Sequence, residues 1–188
     1  MAMNTSGTPL SYQDITVLEK IHDEVKKILK SSSLICYEFA LNCSMYMQSK
    51  NIFKIEYATS GQKSSNNIQH FTGWATDPQA WSLAFANSFQ TGDILVFVKQ
   101  DNTQSHFMVS AGNGHFAGVN NGIVGAQPVS SGSSVALFNF TGTPTGNANS
   151  HISYVRIPAT NVPNFLSAIE TSDTGRIIPT TKKDCRLI

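Results

Sequence analysis

The chain has 188 residues, and a chain of this length can bury the core of one ordinary domain without the support of disulfides or a metal ion. Its 13 lysines and arginines and 12 aspartates and glutamates leave a net charge of +1, which excludes the basic surface that nucleic-acid binding requires. The longest apolar stretch is too short for a membrane span, so we expect no transmembrane segment. Only 13% of the residues are charged, and such a neutral, hydrogen-bonding surface suits exported proteins and proteins that bind sugars or peptides.

The first helix is predicted to open at Ser11, with Asp14 three residues later as its capping-box partner. Apolar residues then recur at helical spacing from Ile15 to Leu29, and charged residues cover the opposite face. A second helix is predicted over Leu34–Gln48. Because this segment is apolar nearly all round, we expect the second helix to be buried.

The rest of the chain predicts mostly strands, so the fold class is α+β, with N-terminal helices packed on an antiparallel β-sheet. We expect a single domain over 1–188, with loose ends at 1–10 and 171–188. The further predicted helices are Asp77–Phe89 and Asn161–Glu170, and the predicted strands are Ile52–Ala58, Ile94–Val98, His106–Ala111, His115–Val119, Val135–Phe140 and Ile152–Ile157.

The residues with the clearest chemical potential are Cys36, at the start of the second predicted helix, and His106, at the start of a predicted core strand. A thiol attacks a carbonyl as a thiolate, and the N–H groups at a helix N-terminus lower the pKa of a thiol. A nearby imidazole can take the thiol proton and later protonate the leaving group. We therefore expect Cys36 to be a nucleophile and His106 its base and acid, with the backbone N–H of Cys36 helping to bind the oxyanion.

Two segments, Gly92–Phe97 and His106–Gly114, resemble the NlpC/P60 and CHAP peptidases. Those papain-like cysteine amidases commonly have a Gly-Asp-Leu-Val-Phe-Phe-like strand, then a strand that begins His-Val-Gly-Ile-Tyr and ends in Gly-Asn-Gly. The likeness covers Gly92–Asn121 and, more loosely, Leu34–Met47. It implies a papain-like fold and hydrolysis of an amide bond, in many members a bond in the peptides of bacterial cell walls.

The resemblance leaves alternatives for two of the catalytic positions. The family commonly has Asp-Cys-Ser-Gly around its nucleophile, which Asn42-Cys43-Ser44 matches better than the sequence around Cys36 does. However, Cys43 would begin a helix of barely two turns, which favours Cys36. The third residue of the family falls near Gly118, which has no side chain to orient an imidazole. Asn120, on the same strand face, is the first candidate for this role, and Asn121 is the second.

The candidate substrate-binding residues are Trp74, in a Gly-Trp loop, and Tyr37, next to Cys36; Trp74 is alternatively a core residue. The five histidines show no metal-ligand spacing, and neither Cys-x-x-Cys nor His-x-x-x-His occurs, so we expect no metal and no cofactor. The three cysteines leave at least one thiol outside any intrachain disulfide. Cys185 is the fourth residue from the end. The sequence leaves three alternatives for it, which are prenylation, a disulfide with Cys43, or neither.

The resemblance implies a cysteine amidase or endopeptidase that acts on peptidoglycan peptides by a Cys-His-Asn mechanism. A small domain with no cell-wall-binding repeat looks like an antibacterial effector toxin, which would have an immunity protein as its inhibitor. Because Met1–Gln13 lacks a signal-peptide pattern, we expect secretion without a cleaved signal and action in the periplasm or cell wall of a target cell. One alternative is a protease, deamidase or acyltransferase that acts on a protein in the host cytosol. The other is a binding module without enzymatic activity.

Overall fold

The computed structural model of the protein describes residues 10–30, 32–49, 53–56, 78–99, 104–119, 127–144, 151–164 and 176–179. Its described helices are α1 (Ile15–Leu29), α2 (Cys36–Ser49) and the short α3 (Leu83–Asn87). The strands are β1 (Phe53–Glu56), β2 (Ile94–Lys99), β3 (Gln104–Gly112), β4 (His115–Val119), β5 (Gln127–Ser131), β6 (Val135–Asn139), β7 (His151–Ile157) and β8 (Arg176–Pro179).

Six of the strands form one antiparallel sheet in the order β5-β6-β4-β3-β2-β7. β1 and β8 form a separate antiparallel pair. The expected α+β class, with helices packed on an antiparallel sheet, is therefore confirmed. The pairing of β3 with β4 is set locally, because a tight turn at Asn113, with φ of 55°, leads the chain from β3 directly into β4.

Both faces of the central strands of the six-stranded sheet are buried. Alternate side chains of β2, such as Ile94 and Val96, join the residues of α1 and α2 in one hydrophobic core. The intervening side chains, such as Leu95 and Phe97, face a second core that includes Phe85 and is largely aromatic. Strands buried on both faces have continuous apolar runs, and this explains why β2 shows no polar alternation.

The first helix begins later than the sequence predicts. Asp14 is itself the N-cap, and its carboxylate accepts the backbone N–H of Thr16 at 2.9 Å. The prediction that Ser11 opens the helix is therefore wrong, and the first helical residue is Ile15. The helix closes at Lys30, which has the left-handed φ of 52° typical of a helix end.

The side chain of Glu19 joins α1 to the hairpin between β5 and β6. Its Oε1 atom accepts the backbone N–H groups of Ser134 at 2.8 Å and Val135 at 2.9 Å. The carboxylate lies so close to Gly132 that a Cβ atom at that position would be 2.0 Å from Oε1. Glycine is therefore needed there for space.

The buried carboxylate of Asp93 holds three segments together at the start of β2. It accepts the backbone N–H of Gln90 at 2.9 Å and that of Ala159 at 2.8 Å. Asp93 therefore caps the turn before β2. The Arg156 guanidinium lies 3.9 Å from the carboxylate and stacks over the ring of Phe89, 4.3 Å from its centroid.

The predicted helix Asp77–Phe89 is wrong over its described first part. Gln79 instead forms an antiparallel bridge with Tyr154 of β7, with both backbone hydrogen bonds at 2.8 Å. The helix starts only after Ser82, whose hydroxyl accepts the N–H of Phe85 at 3.0 Å. The backbone before Ser82 thus covers the edge of the sheet, where its polar groups find partners outside a helix.

Two strands are absent from the sequence prediction. β5 is a polar edge strand that contains Pro128, and this composition hides it. β8 lies within the segment 171–188, which was expected to be loose, and that expectation is wrong over Arg176–Pro179. The predicted helix Asn161–Glu170 begins as a 3-10 turn at Ala159–Asn161 and continues helically over 162–164. Residues 165–170 lie outside the described residues.

Candidate active site

Cys36 is the first residue of α2, and the preceding residue, Ile35, has the role of N-cap. The backbone N–H of Phe39 donates to the carbonyl of Ile35 at 3.2 Å, which is the first intrahelical hydrogen bond. The side chain of Ile35 has no acceptor for the N–H groups of the first turn. The sulfur of Cys36 therefore lies at a helix N-terminus where backbone donors are concentrated.

The environment of the Cys36 sulfur differs from the sequence expectation. Burial raises the pKa of the Cys36 thiol, and the negative charge of Glu38 raises this pKa further. Hydrogen bonds from the backbone N–H groups of Phe107, Tyr37 and Cys36 itself lower the pKa but do not outweigh burial. The expectation of a thiol with a lowered pKa is therefore wrong for this conformation, because desolvation exceeds the effect of the helix N-terminus.

The hydrogen bond from Phe107 shows where the sulfur lies relative to the sheet. The N–H of Ser110 donates to the carbonyl of Asp93 at 2.8 Å, toward the β2 side of β3. Because successive N–H groups of a strand point to opposite neighbours, the N–H of Phe107 points to the β4 side. The sulfur of Cys36 therefore lies on the β4 side of β3 at Phe107.

His106 immediately precedes Phe107 in β3, and its side chain is 6% exposed. The imidazole lies against the ring of Phe97, with a centroid distance of 5.6 Å. Its Nε2 atom is directed toward β4, where a Cβ atom added at Gly118 would be 3.7 Å away. The imidazole therefore lies on the face of the sheet that holds the second core, whereas Phe107 and Cys36 belong to the core beneath α1 and α2.

Gly118 therefore occupies the position beside Nε2 at which the resemblance expects an orienting residue. The strand alternation explains the placement, because Gly118 faces the same side of the sheet as His106. Asn120 and Asn121, the two candidates for this role, lie outside the described residues, as does Trp74. The sequence-predicted residues that lie at this end of β3 are thus Cys36 and His106.

Tyr37 and Cys43 lie in the core. Tyr37 is only 5% exposed and packs edge-on against Phe107, with centroids 6.2 Å apart. We therefore correct its assignment as a substrate-binding residue, because its ring supports the contact between α2 and β3. Cys43 is fully buried in the second turn of α2. His115, at the turn before β4, has its Nδ1 atom 3.1 Å from the carbonyl of Asn113.

Glu38 is a site residue that the sequence analysis did not identify. Its Oε2 atom accepts the backbone N–H of Ile35 at 3.2 Å, across the residue that carries the thiol. Glutamate at the third helical position is one half of a capping box. The signal in the sequence is the spacing Ile35-x-x-Glu38, and it was hidden because a capping box normally begins with serine or threonine.

Glu19, His22 and Asp23 form the group of described side chains that could hold a metal ion, with ligand atoms within 4.8 Å of one another. Two features of this group are already explained by protein contacts. The Glu19 carboxylate accepts the backbone hydrogen bonds of the β5–β6 hairpin, and the buried His22 has its Nδ1 atom 3.4 Å from Asp23. We therefore assign this group a structural role.

Comparison of the chain with protein-family models, with curated proteins and with solved structures gives no match in any of the three. Among the described residues, each helix is too short or too polar to cross a bilayer. The geometry around Cys36 and His106 is therefore the basis for any statement about function.

Proposed function

We propose that the protein is a papain-like cysteine amidase or endopeptidase similar to the NlpC/P60 enzymes. The observation that carries this proposal is that Cys36 begins α2 and packs on the core that contains Phe107, the residue directly after His106. A nucleophile at a helix start and a histidine on a neighbouring strand are the two groups that cysteine hydrolysis needs. The resemblance of Gly92–Phe97 and His106–Gly114 to the family supports the same assignment.

The chemistry begins with a neutral thiol. The imidazole of His106 takes the proton of Cys36 as the sulfur attacks the carbonyl carbon of the substrate amide. The new C–S bond gives a tetrahedral intermediate, and the backbone N–H of Cys36 donates to its oxyanion. The imidazolium then returns the proton to the amide nitrogen, and the C–N bond breaks. His106 next deprotonates a water molecule, which hydrolyses the thioester and releases the acid.

Asn120 or Asn121 is the proposed orienting residue for His106, and Trp74 is a proposed contact for the substrate. The proposed substrate is the peptide stem or cross-link of peptidoglycan. By resemblance, we further propose an antibacterial effector that acts in the periplasm of a target cell and is inhibited by an immunity protein. This proposal requires neither a metal nor a cofactor, because the protein supplies both nucleophile and base.

Digestion of purified peptidoglycan, with fragments identified by mass spectrometry, tests the proposal. The variants are Cys36→Ala, with the buried Cys43→Ala as its matched control, and His106→Gln, with His115→Gln as its matched control. We expect wild type and both controls to release fragments, and Cys36→Ala and His106→Gln to lose release by at least ~100-fold. Cleavage abolished by Cys43→Ala in a folded protein, and retained by Cys36→Ala, would contradict the assignment of the nucleophile.

The alternative substrate is a protein of a host cell. If wild type leaves peptidoglycan intact but cleaves or modifies proteins of a host-cell extract, and Cys36→Ala does not, a host protein becomes the proposed substrate. If the folded wild type acts on neither, the enzymatic proposal fails and a binding module is favoured. Prenylation of Cys185 in a cell extract would support the host alternative, since a lipid anchor acts at a host membrane.

A further inference from the structure

We propose that Glu38 is a positioning residue of this site, which fixes the turn that carries Cys36 and holds a negative charge beside the thiol of that residue. The proposal rests on the proposed function for its purpose, but not for its geometry. Glu38 stands in the first turn of α2, two residues after the nucleophile. Its carboxylate accepts the backbone N–H of Ile35, the residue before Cys36, so this hydrogen bond spans the residue that carries the thiol.

Glu38 accepts a hydrogen bond from the N-cap residue of α2. Ile35 is the N-cap of α2, and its apolar side chain cannot accept the N–H groups of the first turn. The Oε2 atom of Glu38 accepts the N–H of Ile35 at 3.2 Å, and this bond fixes the backbone immediately before Cys36. The orientation of the Cys36 N–H, which is the proposed oxyanion donor, depends on that backbone. Glu38 thus acts on the site through the peptide it holds.

Glu38 also places a negative charge close to the thiol. The groups that act on the Cys36 sulfur are the backbone N–H donors of Phe107, Tyr37 and Cys36 itself and the carboxylate of Glu38. His22 of α1 lies further along α2, beside Phe39. Of the charged groups in the described part of the chain, Glu38 is the one whose field raises the pKa of Cys36. Because Glu38 is half-buried, water screens this field less than at the surface.

A neutral resting thiol has a clear consequence for an exported hydrolase. The thiolate is the species that oxidants attack, so a thiol held in its protonated form resists inactivation. The proton leaves only when the imidazole takes it during attack on the substrate. Glu38 therefore lowers the reactivity of the Cys36 thiol toward oxidants before substrate binds. Its hydrogen bond to Ile35 keeps the oxyanion donor in place.

Two substitutions separate the hydrogen bond from the charge. Glu38→Gln keeps a side-chain oxygen for the N–H of Ile35 and removes the charge, whereas Glu38→Ala removes both. The half-buried Glu24 of α1 provides a matched control as Glu24→Gln and Glu24→Ala. The rate of iodoacetamide alkylation of Cys36 is measured against pH by mass spectrometry of its peptide, and this readout needs no substrate. Urea unfolding confirms that each variant is folded.

We expect the alkylation midpoint of Cys36 to move to lower pH in both Glu38 variants and to stay unchanged in the Glu24 controls. With a cleaved substrate, kcat should be retained in Glu38→Gln and fall roughly tenfold in Glu38→Ala, because only the second loses the bond that positions the backbone. An unchanged midpoint in folded Glu38→Gln would overturn the proposal, and so would equal kcat values for the two variants. A shifted midpoint without amide hydrolysis by the wild type would contradict the proposed function and leave the electrostatic role of Glu38 standing.

Discussion

The contact between Glu19 and Gly132 predicts strong coupling between two distant positions of the chain. Glu19→Ala removes the acceptor of two backbone hydrogen bonds, from Ser134 and Val135. Each hydrogen bond to a charged group contributes about 1.5 kcal/mol at a partly exposed site, so we expect a loss of about 3 kcal/mol in the free energy of unfolding. Gly132→Ala places a methyl group 2.0 Å from Oε1 and 2.5 Å from Cγ of Glu19, so it should displace the carboxylate and cost a similar amount.

The double variant should be far more stable than the sum of the two losses. In the Glu19→Ala background the added methyl group no longer meets the carboxylate, and Gly132 has no positive φ that alanine would strain. We expect Gly132→Ala to be neutral there, or to stabilise the protein by about 0.5 kcal/mol through the unfolded chain. The double-mutant cycle, measured by urea unfolding, should give a coupling energy of about 3 kcal/mol. Gly142→Ala is the control, because a Cβ atom at that position meets nothing within 4 Å. An equal cost of Gly132→Ala in both backgrounds would refute the reasoning.

Two further substitutions test the second core and the imidazole. Tyr154→Phe removes the hydrogen bond that the hydroxyl donates to the carbonyl of Pro144, so urea unfolding should show a loss of about 1 kcal/mol. Burial raises the pKa of Tyr154 to about 12, so its contribution is complete below pH 10 and is lost as the pH rises toward 12, which an ultraviolet titration should show. Gly118→Ala places a methyl group 3.7 Å from Nε2 of His106 and 3.3 Å from the flexible end of Met108. It should lower kcat with less than about 1 kcal/mol change in stability, and an unchanged kcat would show that this space is not needed to orient the imidazole.

The parts of the fold that sequence predicted well are those with local causes. The apolar spacing of α1 and the apolar run of α2 determine both helices, and the turn at Asn113 determines the β3–β4 hairpin. The missed elements depend on partners far along the chain. β5 and β8 are defined by pairing with β6 and β1, and neither has an apolar pattern of its own.

The same distinction applies to the site. The position of Cys36 at a helix start is local, and the sequence predicted it. The protonation of its thiol is not local, because burial under the sheet and the N–H of Phe107 both contribute to the pKa. The core position of Tyr37 likewise follows from its contact with Phe107, seventy residues away, which periodicity within one helix does not show.

The raised pKa of Cys36 determines how the work is divided between the residues of the proposed mechanism. If the resting thiol were already ionised, His106 would serve mainly as a proton donor to the leaving nitrogen. Because burial and Glu38 favour the neutral thiol, the imidazole must also act as a base during attack. This requirement makes the side-chain direction of His106 critical, because its ring packs against Phe97 on the face opposite α2 and must reach the Cys36 sulfur to take its proton.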